Sequence, residues 1–364
     1  MSIFPIITHI NDLKPHVEHL PEIRFAEQPN GFQIVCAMIA DTNTYAGEHA
    51  MWARECRGIT FDRDGFIVCR GLHKFFNVGE RSETQEGILP WANVARLMEK
   101  RDGSVINPVK VDGHIVFKSK KSFDSDVALL ANKIATLSDK IFSEWCIERS
   151  LTPTFELTSP DARIVIKYPV SCLTLLHIRD NHSGRYLTSA EIDSIAINFD
   201  INVVKGFGYS ADWLSIKYEL QTVENFEGYC IQFEDGEIVK AKSKWYLDRH
   251  HAMTALTERN VAEMVIAESL DDLKSYIAEL GEPDLFEKVE HIESEIVKAI
   301  NYIAEAVEVL FYPDRELDRK TFAVKHQKHR LFGLLMKRFE GKEPDYKEYY
   351  ARHLLKGAWE VRSL

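Results

Sequence analysis

The sequence predicts an α/β (α+β) fold in which an antiparallel-sheet domain, residues 1–250, is followed by an all-α domain, residues 251–364. Two observations support this prediction. In the first region, short apolar segments alternate with Asp-Gly pairs, which are typical of tight turns between antiparallel strands. In the second region, apolar residues recur every three or four positions, as they do on the buried face of an amphipathic helix.

The strands of the first region are predicted from short runs rich in β-branched and aromatic residues. Asp64-Gly65, Asp112-Gly113 and Asp235-Gly236 mark three of the turns between them. In chain order, the predicted strands are residues 31–37, 58–61, 66–69, 105–106, 109–111, 115–117, 164–166, 173–176 and 229–233, and a last strand that carries Lys240 and Lys242.

The second region is dominated by one long predicted helix, which begins at Pro283-Asp284 and ends before Pro313. Proline is tolerated in the first turn of a helix but stops a helix that it would otherwise continue. Further helical patterns cover residues 321–339 and 344–355. The apolar face of the long helix consists of Phe286, Val289, Ile292, Ile296, Ile300, Ile303, Val307 and Leu310.

The composition narrows the class of protein. A chain of 364 residues, 45% of them hydrophobic, is long enough for two domains. It has no apolar stretch of the roughly 18–20 residues that span a membrane, and its first residues do not resemble a signal peptide, so we expect a cytoplasmic protein. The six cysteines lack metal-ligand spacing, which predicts no structural metal. The net charge of −11 argues against a general nucleic-acid coat, although basic residues cluster at 118–121, 240–244 and 315–338.

Four short motifs carry charged residues in a fixed order along the first region. A lysine, two separated carboxylates and a closing pair of lysines are the groups needed to transfer a nucleoside monophosphate onto an amine. Each motif alone is what an ordinary surface turn or strand would show, and only their order indicates a nucleotidyl-transfer site. The motifs are Lys100-x-Asp102-Gly103, Phe155-Glu156-Leu157, Glu227-Gly228-Tyr229 and Lys240-Ala241-Lys242.

A lysine amine can attack the α-phosphorus of a nucleoside triphosphate only when it is unprotonated. We therefore expect burial and neighbouring positive charge to lower the pKa of Lys100 from its ordinary value of about 10.4. Lys240, Lys242 and a divalent metal ion would supply that charge, and one of the two lysines would also neutralise the α-phosphate. In this interpretation Glu227 holds the metal ion, and Glu156 accepts hydrogen bonds from the ribose hydroxyls.

The ordered motifs resemble those of the covalent nucleotidyltransferases, the superfamily of ATP-dependent ligases and RNA-capping enzymes, which implies an ATP-grasp-like ligase domain. Across at least residues 50–250, a larger set of motifs resembles those of the phage RNA ligase 1 family, which also carries a helical C-terminal domain. Besides the four motifs, this resemblance is carried by Glu55-Cys56-Arg57-Gly58-Ile59-Thr60-Phe61, His73-Lys74-Phe75-Phe76-Asn77, Phe117-Lys118-Ser119-Lys120 and Ser243-x-Trp245-Tyr246.

The resemblance implies an ATP-dependent enzyme that joins RNA 3′-hydroxyl and 5′-phosphate ends through lysyl-AMP and RNA-adenylate intermediates. By motif position, Lys100 is the nucleophile that carries AMP covalently, and Glu227 serves the metal ion and catalysis. Lys240 and Lys242 complete the implied catalytic set. The residues implied to bind the nucleotide or its phosphates are Arg57, Lys74, Lys100, Lys118, Lys120, Glu156, Glu227, Lys240, Lys242 and Tyr246.

The resemblance also implies the cofactors and partners. The cofactors are ATP and Mg²⁺ or Mn²⁺, and the partner is RNA, in particular host tRNA that a defence nuclease has cut in its anticodon loop. We expect a monomer without membrane association, in the host cytoplasm if the chain is phage-encoded. The helical domain is expected to select the RNA through a basic group made of Lys325, Lys328, Arg330, Lys337 and Arg338.

Several alternatives stay open on the sequence alone. A capping-type guanylyltransferase or a DNA ligase would continue into an OB-fold after the closing lysines, and this chain continues with helices. A non-catalytic RNA-end-binding protein would be expected to lose the nucleophile. Lys74 could instead cover Phe75-Phe76 with its stem, Tyr246 could be a core anchor, and the basic helical residues could simply be solvated. Arg101, Leu157 and Lys121 depart from the family pattern and leave the nucleotide preference open.

Overall fold

The computed structural model describes residues 4–38, 40–41, 43–207, 212–267 and 269–353. The chain divides into two compact units, Met1–Leu247 and Asp248–Leu364. All the described strands lie in the first unit, and the described part of the second unit is helical. The predicted fold class, antiparallel sheets followed by a helical region, is therefore confirmed. The separate roles assigned to the two regions remain predictions.

The strands of the first unit are short and mostly joined by tight turns. In chain order they are β1 (Ile23–Glu27), β2 (Gln33–Ala37), β3 (Arg57–Phe61), β4 (Ile67–Cys69), β5 (Phe76–Asn77), β6 (Val94–Lys100), β7 (Ser104–Val111), β8 (His114–Ser119), β9 (Leu151–Thr158), β10 (Cys172–Asp180), β11 (Gly206–Phe207), β12 (Gly228–Phe233) and β13 (Ile238–Lys242).

The helices are concentrated in the second half of the chain. In chain order they are α1 (Ile10–Val17), α2 (Ala50–Ala53), α3 (Asp126–Ile134), α4 (Leu137–Ile147), α5 (Ser189–Phe199), α6 (Trp213–Thr222), α7 (Lys244–Ala255), α8 (Glu258–Ile266), α9 (Leu270–Glu279), α10 (Pro283–Phe311), α11 (Arg319–His326), α12 (Phe332–Phe339) and α13 (Tyr346–His353).

The described strands form three sheets, with the orders β1-β2-β3-β4, β10-β9-β7-β8 and β11-β6-β12-β13-β5. Their pairs are antiparallel except for the parallel pair of β13 with β5. The turn between β7 and β8 has Asp112 and Gly113 at φ 47° and 85°. Positive φ at both central residues matches the twist of a two-residue hairpin, which explains why the Asp-Gly pair predicted this turn.

The second sheet shows how the core directs a charged side chain toward the site. Phe142 of α4 packs edge-on against Phe155 of β9, with ring centroids 6.1 Å apart. Both rings are fully buried, and such burial stabilises the fold by roughly 1.5–3 kcal/mol per side chain. Since neighbouring residues of a strand point to opposite faces, anchoring Phe155 in this core turns Glu156 to the other face of β9.

Helix α4 is held in place at its start by a capping box. The Thr136 hydroxyl accepts a hydrogen bond from the backbone N–H of Asp139, and the Asp139 carboxylate accepts one from the Thr136 N–H. Two backbone donors that the helix cannot use internally are thereby satisfied. The same arrangement of Thr188 and Glu191 begins α5.

Three predictions about the elements are wrong. The two separate strands predicted at 105–106 and 109–111 are one strand, β7. Residues 164–166 are not a strand, because the backbone N–H groups of Val165 and Ile166 donate to the carboxylate of Asp102 instead of to a sheet neighbour. The single helical pattern over 321–339 is two helices, α11 and α12. The chain reverses between them, which lets Phe322 and Leu335 enter the same core cluster.

The long helix α10 organises the described part of the second unit. Pro283 occupies its first turn, and the predicted apolar face is largely buried. Its N-terminal half packs in one core cluster with α8 and α9, and its C-terminal half packs in another with α11 and α12. None of the described helices is both long enough and apolar enough to cross a membrane.

Candidate active site

Three neighbouring strands of the third sheet bring two of the predicted lysines together. Lys100 ends β6, Gly228 begins β12 and Lys242 ends β13, and Gly228 is paired with both lysines. Gly228 has φ 150°, and a Cβ at this position would lie 2.0 Å from the carbonyl oxygen of Ala241. Only glycine fits here, so the glycine of the Glu-Gly-Tyr motif allows the close pairing that sets Lys100 and Lys242 on either side of it.

Glu227 lies just before β12 and contacts both amines. Its Oε1 is 2.7 Å from Lys100 Nζ and 3.2 Å from Lys242 Nζ. The carboxylate is 2% exposed, and its second oxygen, Oε2, is buried without a hydrogen-bond partner among the described residues. Lys100, Glu227 and Lys242 are called the lysine–carboxylate group below.

The pKa of Lys100 differs from the sequence prediction. Burial has the largest single effect and lowers it. The negative charges of Glu227, Cys230 and Glu156, of which Glu227 acts most strongly, together raise the pKa of Lys100 above its ordinary value. The expectation of a lowered pKa is therefore wrong for the chain by itself. The prediction counted the positive neighbours of Lys100 but overlooked that Glu227, which was assigned to a metal ion, also reaches the amine.

The pKa of Lys240 is shifted in the opposite direction. Burial lowers the pKa of Lys240 to about 8, and the positive charges of Lys74, Lys100 and Arg57 act in the same direction. Burial also lowers the pKa values of Lys74 and Lys120, with Arg57 contributing to both shifts. Arg57, Lys74, Lys120 and Lys240 are called the cationic group below.

Glu156 supplies the second carboxylate of the site. It is 6% exposed, and burial raises the pKa of its carboxyl to about 7, while Lys100 lowers it and Glu227 raises it further. The turn after Lys100 lies close to β9, the strand that carries Glu156, because a Cβ on Gly103 would be 2.2 Å from the carbonyl oxygen of Leu157. Gly103 therefore permits the approach that brings Glu156 near Lys100.

Some of these side chains line one pocket of about 190 Å³. Five of the predicted site residues line it: Arg57, Lys100, Glu156, Lys240 and Lys242. An apolar wall beside a group of cations suits a ligand that has a planar apolar part and phosphate groups. The apolar lining consists of Leu72, Phe75, Met98, Val105, Leu176 and Val204.

Besides Glu227, four predicted residues are not among those that line the pocket. The fully buried amine of Lys118 donates to the carbonyl oxygen of Gly58, at 2.9 Å. Lys74 Nζ lies over the ring of Phe76, 5.0 Å from its centroid. Lys120 is half-buried beside Arg57 and joins the cationic group. Tyr246 is the fourth, and its contacts link two motifs.

Tyr246 connects the closing lysines with the nucleophile motif. Its hydroxyl donates to Asp102 Oδ1 at 2.8 Å, and Lys242 Nζ lies 4.6 Å from the centroid of its ring. The other oxygen of Asp102 accepts the N–H groups of Val165 and Ile166, at 2.6 and 2.7 Å. The sequence analysis quoted Asp102 without giving it a role, and its place in the Lys-x-Asp-Gly motif was the available signal.

A second group that the sequence analysis missed holds the extended segment 71–75, which supplies Leu72 and Phe75 to the pocket wall. Three arginines donate to backbone carbonyl oxygens along it: Arg179 to Gly71, Arg57 to His73 and Arg54 to Lys74. The donor–acceptor distances are 2.9, 3.2 and 2.8 Å. No sequence motif indicates this clamp, because Arg179 is far away along the chain.

The side chain of His73 locks the same segment. Against the effect of burial, hydrogen bonds from His73 and Arg54 lower the pKa of Glu237 to about 2. This carboxylate can therefore only accept, and His73 Nε2 carries the ring proton toward it, at 3.4 Å. Burial lowers the pKa of His73 to about 4, so the ring is neutral and its Nδ1 accepts from the Tyr186 hydroxyl, at 2.8 Å. The same hydroxyl accepts the His73 backbone N–H, at 3.1 Å, and Glu237 also pairs with Arg54.

The site fits a divalent cation that is shared with a phosphate ligand. No cluster of three metal-ligating side chains occurs in the described part of the chain. Mg²⁺, however, commonly keeps several waters and binds one or two carboxylates together with substrate phosphates. The unpartnered Oε2 of Glu227 supplies one such carboxylate oxygen.

Comparisons with known proteins agree with this geometry. The family model described as RNA ligase matches residues 55–250. The chain is 35% identical over 213 residues to a protein of Thermovibrio ammonificans named "Putative RNA ligase", an alignment that covers 56% of this chain and 54% of that protein. It is 26% identical over 257 residues to RNA ligase 1 of Bacteriophage TS2126, which covers 65% of this chain and 61% of that protein. The chain thus spans little more than half the length of these relatives.

Among solved structures, an archaeal ATP-dependent RNA ligase is similar at a TM-score of 0.48 and 16% identity, over 79% of this chain and 78% of that one. This similarity is too low to carry an argument. The family match is decisive, since it extends over more than half of the chain and includes all four ordered motifs. The chain belongs to the ATP-dependent RNA ligase family of the nucleotidyltransferase superfamily.

Proposed function

We propose that this protein joins RNA 3′-hydroxyl and 5′-phosphate ends in an ATP-dependent reaction. The observation that carries the proposal is the lysine–carboxylate group, in which the amine of Lys100 lies 2.7 Å from Glu227 at the edge of a pocket lined with cations. A lysine in such a pocket can act as a covalent nucleophile once it is deprotonated.

The proposed reaction has three steps. Lys100 Nζ loses a proton and attacks the α-phosphorus of ATP, so that a P–N bond forms and the bond to pyrophosphate breaks. An oxygen of the RNA 5′-phosphate then displaces Lys100, which transfers AMP to the RNA. Finally the RNA 3′-hydroxyl loses its proton and attacks that 5′-phosphate, forming the phosphodiester and releasing AMP.

Lys100 first has to be released from Glu227, because their ion pair raises the pKa of the amine. Glu227 would hold Mg²⁺ or Mn²⁺ through Oε2, and the bound ion would neutralise charge on the phosphate oxygens. Lys242 shares Oε1 of the same carboxylate, at 3.2 Å, and would compete with Lys100 for it. These contacts give Glu227 a direct influence on the protonation of the nucleophile.

The remaining pocket residues would bind the nucleotide. Arg57 and Lys240 line the pocket and would contact phosphate oxygens, with Lys74 and Lys120 adding positive charge behind them. Glu156 would accept hydrogen bonds from ribose hydroxyls when it is ionised. Lys118 and Tyr246 would support the site through Gly58 and Asp102.

A labelling experiment tests the first step. Incubation with ATP labelled at the α-phosphate and Mg²⁺ should give a covalently labelled protein whose label resists alkali and hydroxylamine but is released by acid. A lysine phosphoramidate behaves in this way, whereas an acyl phosphate on a glutamate is cleaved by alkali and by hydroxylamine. Lys100→Ala should abolish the label. The matched control is Lys110→Ala, since Lys110 is an exposed lysine paired with Glu144 outside the pocket. Labelling that persists in Lys100→Ala would overturn the assignment.

The nucleotide that labels the protein separates the ligase from a capping-type enzyme. ATP should label it, and GTP should label it at least tenfold less well. A preference for GTP would favour the capping alternative. A protein that binds RNA ends but is labelled by neither nucleotide would be the non-catalytic alternative.

We further propose that the helical region selects broken tRNA, and that the protein acts as a monomer. Two of the five predicted basic residues are already paired, Lys325 with Asp314 and Arg338 with Glu308. Lys328 and Lys337 have no ion pair among the described residues, so they are the better candidates for RNA phosphates.

The test uses the full chain with Lys328→Glu and Lys337→Glu combined. We expect normal labelling of Lys100, but at least a tenfold loss of sealing on tRNA cut in its anticodon loop and a smaller loss on an unstructured oligonucleotide. Lys298→Glu is the control, since Lys298 is an exposed helical lysine already paired with Glu295. Equal losses on both RNAs would contradict a role in tRNA selection.

A further inference from the structure

A second cavity, of about 620 Å³, lies in the first unit. Its floor includes Arg96 of β6 and Gln232 of β12, which are direct neighbours across the strand pair. Along β6, Arg96 shares a face with Lys100 but lies four residues earlier, and it does not line the nucleotide pocket. The volume is within the range of cavities that bind small organic molecules.

The two floor residues are polar, deeply buried and incompletely partnered. Arg96 is 7% exposed and Gln232 is 6% exposed. Arg96 Nη1 donates to the carbonyl oxygen of Leu176, at 2.9 Å, but no carboxylate in the described part of the chain lies within ion-pair distance of its guanidinium. The Gln232 amide makes no hydrogen bond to any described residue. Among the described residues, neither side chain has a polar atom that is both fully buried and unpartnered, so their remaining N–H groups are open to the cavity that they line, where an acceptor could pair with both.

The rest of the cavity restricts the ligand. Thr188 and Ser189 line it at the start of α5, where the capping box of Thr188 and Glu191 satisfies two of the backbone N–H groups. Phe4, Leu187 and Phe233 provide apolar walls. Glu234 and Asp235 also line the cavity and would repel a ligand with several negative charges.

We propose that this cavity binds a small organic monoanion, namely a carboxylate carried on an aromatic or aliphatic body. The carboxylate accepts hydrogen bonds from the guanidinium of Arg96 and the amide of Gln232, and the apolar body lies against Phe4, Leu187 and Phe233. A planar guanidinium donates two parallel hydrogen bonds to a carboxylate, which gives this class of ligand both affinity and orientation. The acidic residues disfavour nucleotides and inorganic phosphate, so this site is separate from the proposed ATP site.

The test measures binding of benzoate to the full-length protein by titration calorimetry, with benzyl alcohol as the uncharged analogue and AMP as the competitor. We expect benzoate to bind at least tenfold more tightly than benzyl alcohol, because a hydrogen bond to a charged group is worth about 1.5–3 kcal/mol. AMP should not displace it. Lys100→Ala should bind benzoate as the unaltered protein does.

Three variants locate the ligand. Arg96→Gln and Gln232→Leu should each weaken benzoate binding, Arg96→Gln by about tenfold or more. If Arg96→Gln fails to fold, Ala190→Trp decides, since Ala190 is an exposed residue lining the cavity and a large ring there blocks it. Absence of benzoate binding, displacement by AMP, or unchanged affinity in Gln232→Leu and Ala190→Trp would each overturn the proposal.

Discussion

Lys100 and Lys240 line the same pocket, and burial acts on both amines in the same direction, yet their pKa values move in opposite directions. Lys100 belongs to the lysine–carboxylate group, where Glu227 lies 2.7 Å away. Lys240 belongs to the cationic group, where its neighbours are other positive charges. The comparison shows that nearby negative charge, chiefly one carboxylate within hydrogen-bonding distance, can reverse the effect of burial on the pKa of an amine, so that two lysines of one pocket shift in opposite directions.

The difference suggests what the lysine–carboxylate group and the cationic group would each do in the reaction. Under the proposed function, a protonated Lys100 paired with Glu227 would be a resting nucleophile, which would become reactive when another cation takes over the carboxylate. Lys240, with a pKa of about 8, would be recharged by a bound phosphate, since a nearby negative charge raises the pKa of an amine. Binding of the nucleotide and its metal ion would thus lower the pKa of Lys100 and raise the pKa of Lys240.

Replacing Glu227 should have the largest effect on the difference between Lys100 and Lys240. Glu227→Gln should lower the rate of Lys100 labelling by about 10²–10³-fold, the range for loss of one group that stabilises charge at a reacting centre. The pKa of Lys100 should fall toward that of Lys240, because burial then acts without Glu227. Single-turnover labelling as a function of pH measures both effects, and a rate within threefold of the unaltered protein would show that the ion pair is not part of the reaction.

Glu156 tests the effect of burial on a carboxylate that has no ion pair among the described residues. Its pKa is raised to about 7, so between about pH 4.5 and 7 the folded protein binds more protons than the unfolded chain, and stability falls as the pH rises. Relative to Glu156→Gln, the unaltered protein should lose at most about 3 kcal/mol of unfolding free energy across this window. Denaturant titrations at several pH values measure this, and parallel curves for the two proteins would contradict the raised pKa.

Loosening the clamp on segment 71–75 should have a smaller effect, limited to the binding of ATP by the cationic group. Tyr186→Phe and Glu237→Ala each remove hydrogen bonds that hold His73, and we expect the KM for ATP to rise about tenfold with kcat for labelling changed by less than threefold. Tyr276→Phe, which removes the hydroxyl hydrogen bond to the Asp248 carbonyl in the helical unit, is the matched control. A fall in stability with an unchanged KM would make the clamp purely structural.

Much of the site was predictable because its residues form short motifs on adjacent strands. The Asp-Gly turns and β-rich runs predicted part of the sheets but missed β6 and β9, which carry Lys100 and Glu156, as well as β1, β5 and β11. The ordered lysines and carboxylates predicted which side chains meet. The prediction of a strand at 164–166 was wrong because Asp102, more than 60 residues away, accepts hydrogen bonds from its N–H groups. Such a distant contact overrides local β-propensity and leaves no periodic signal in the segment itself.

The sequence by itself determined the order of the elements, the glycines that permit close approach, and the charged residues of the site, because these follow from local propensity and from residue chemistry. The tertiary structure alone decided the direction of each pKa shift, the inward turn of Lys118 toward Gly58, and the clamp that joins Arg179, Tyr186 and Glu237 to one pocket wall. The physical reason is that electrostatic and hydrogen-bond energies depend on distance and burial in space, which separation along the chain does not specify.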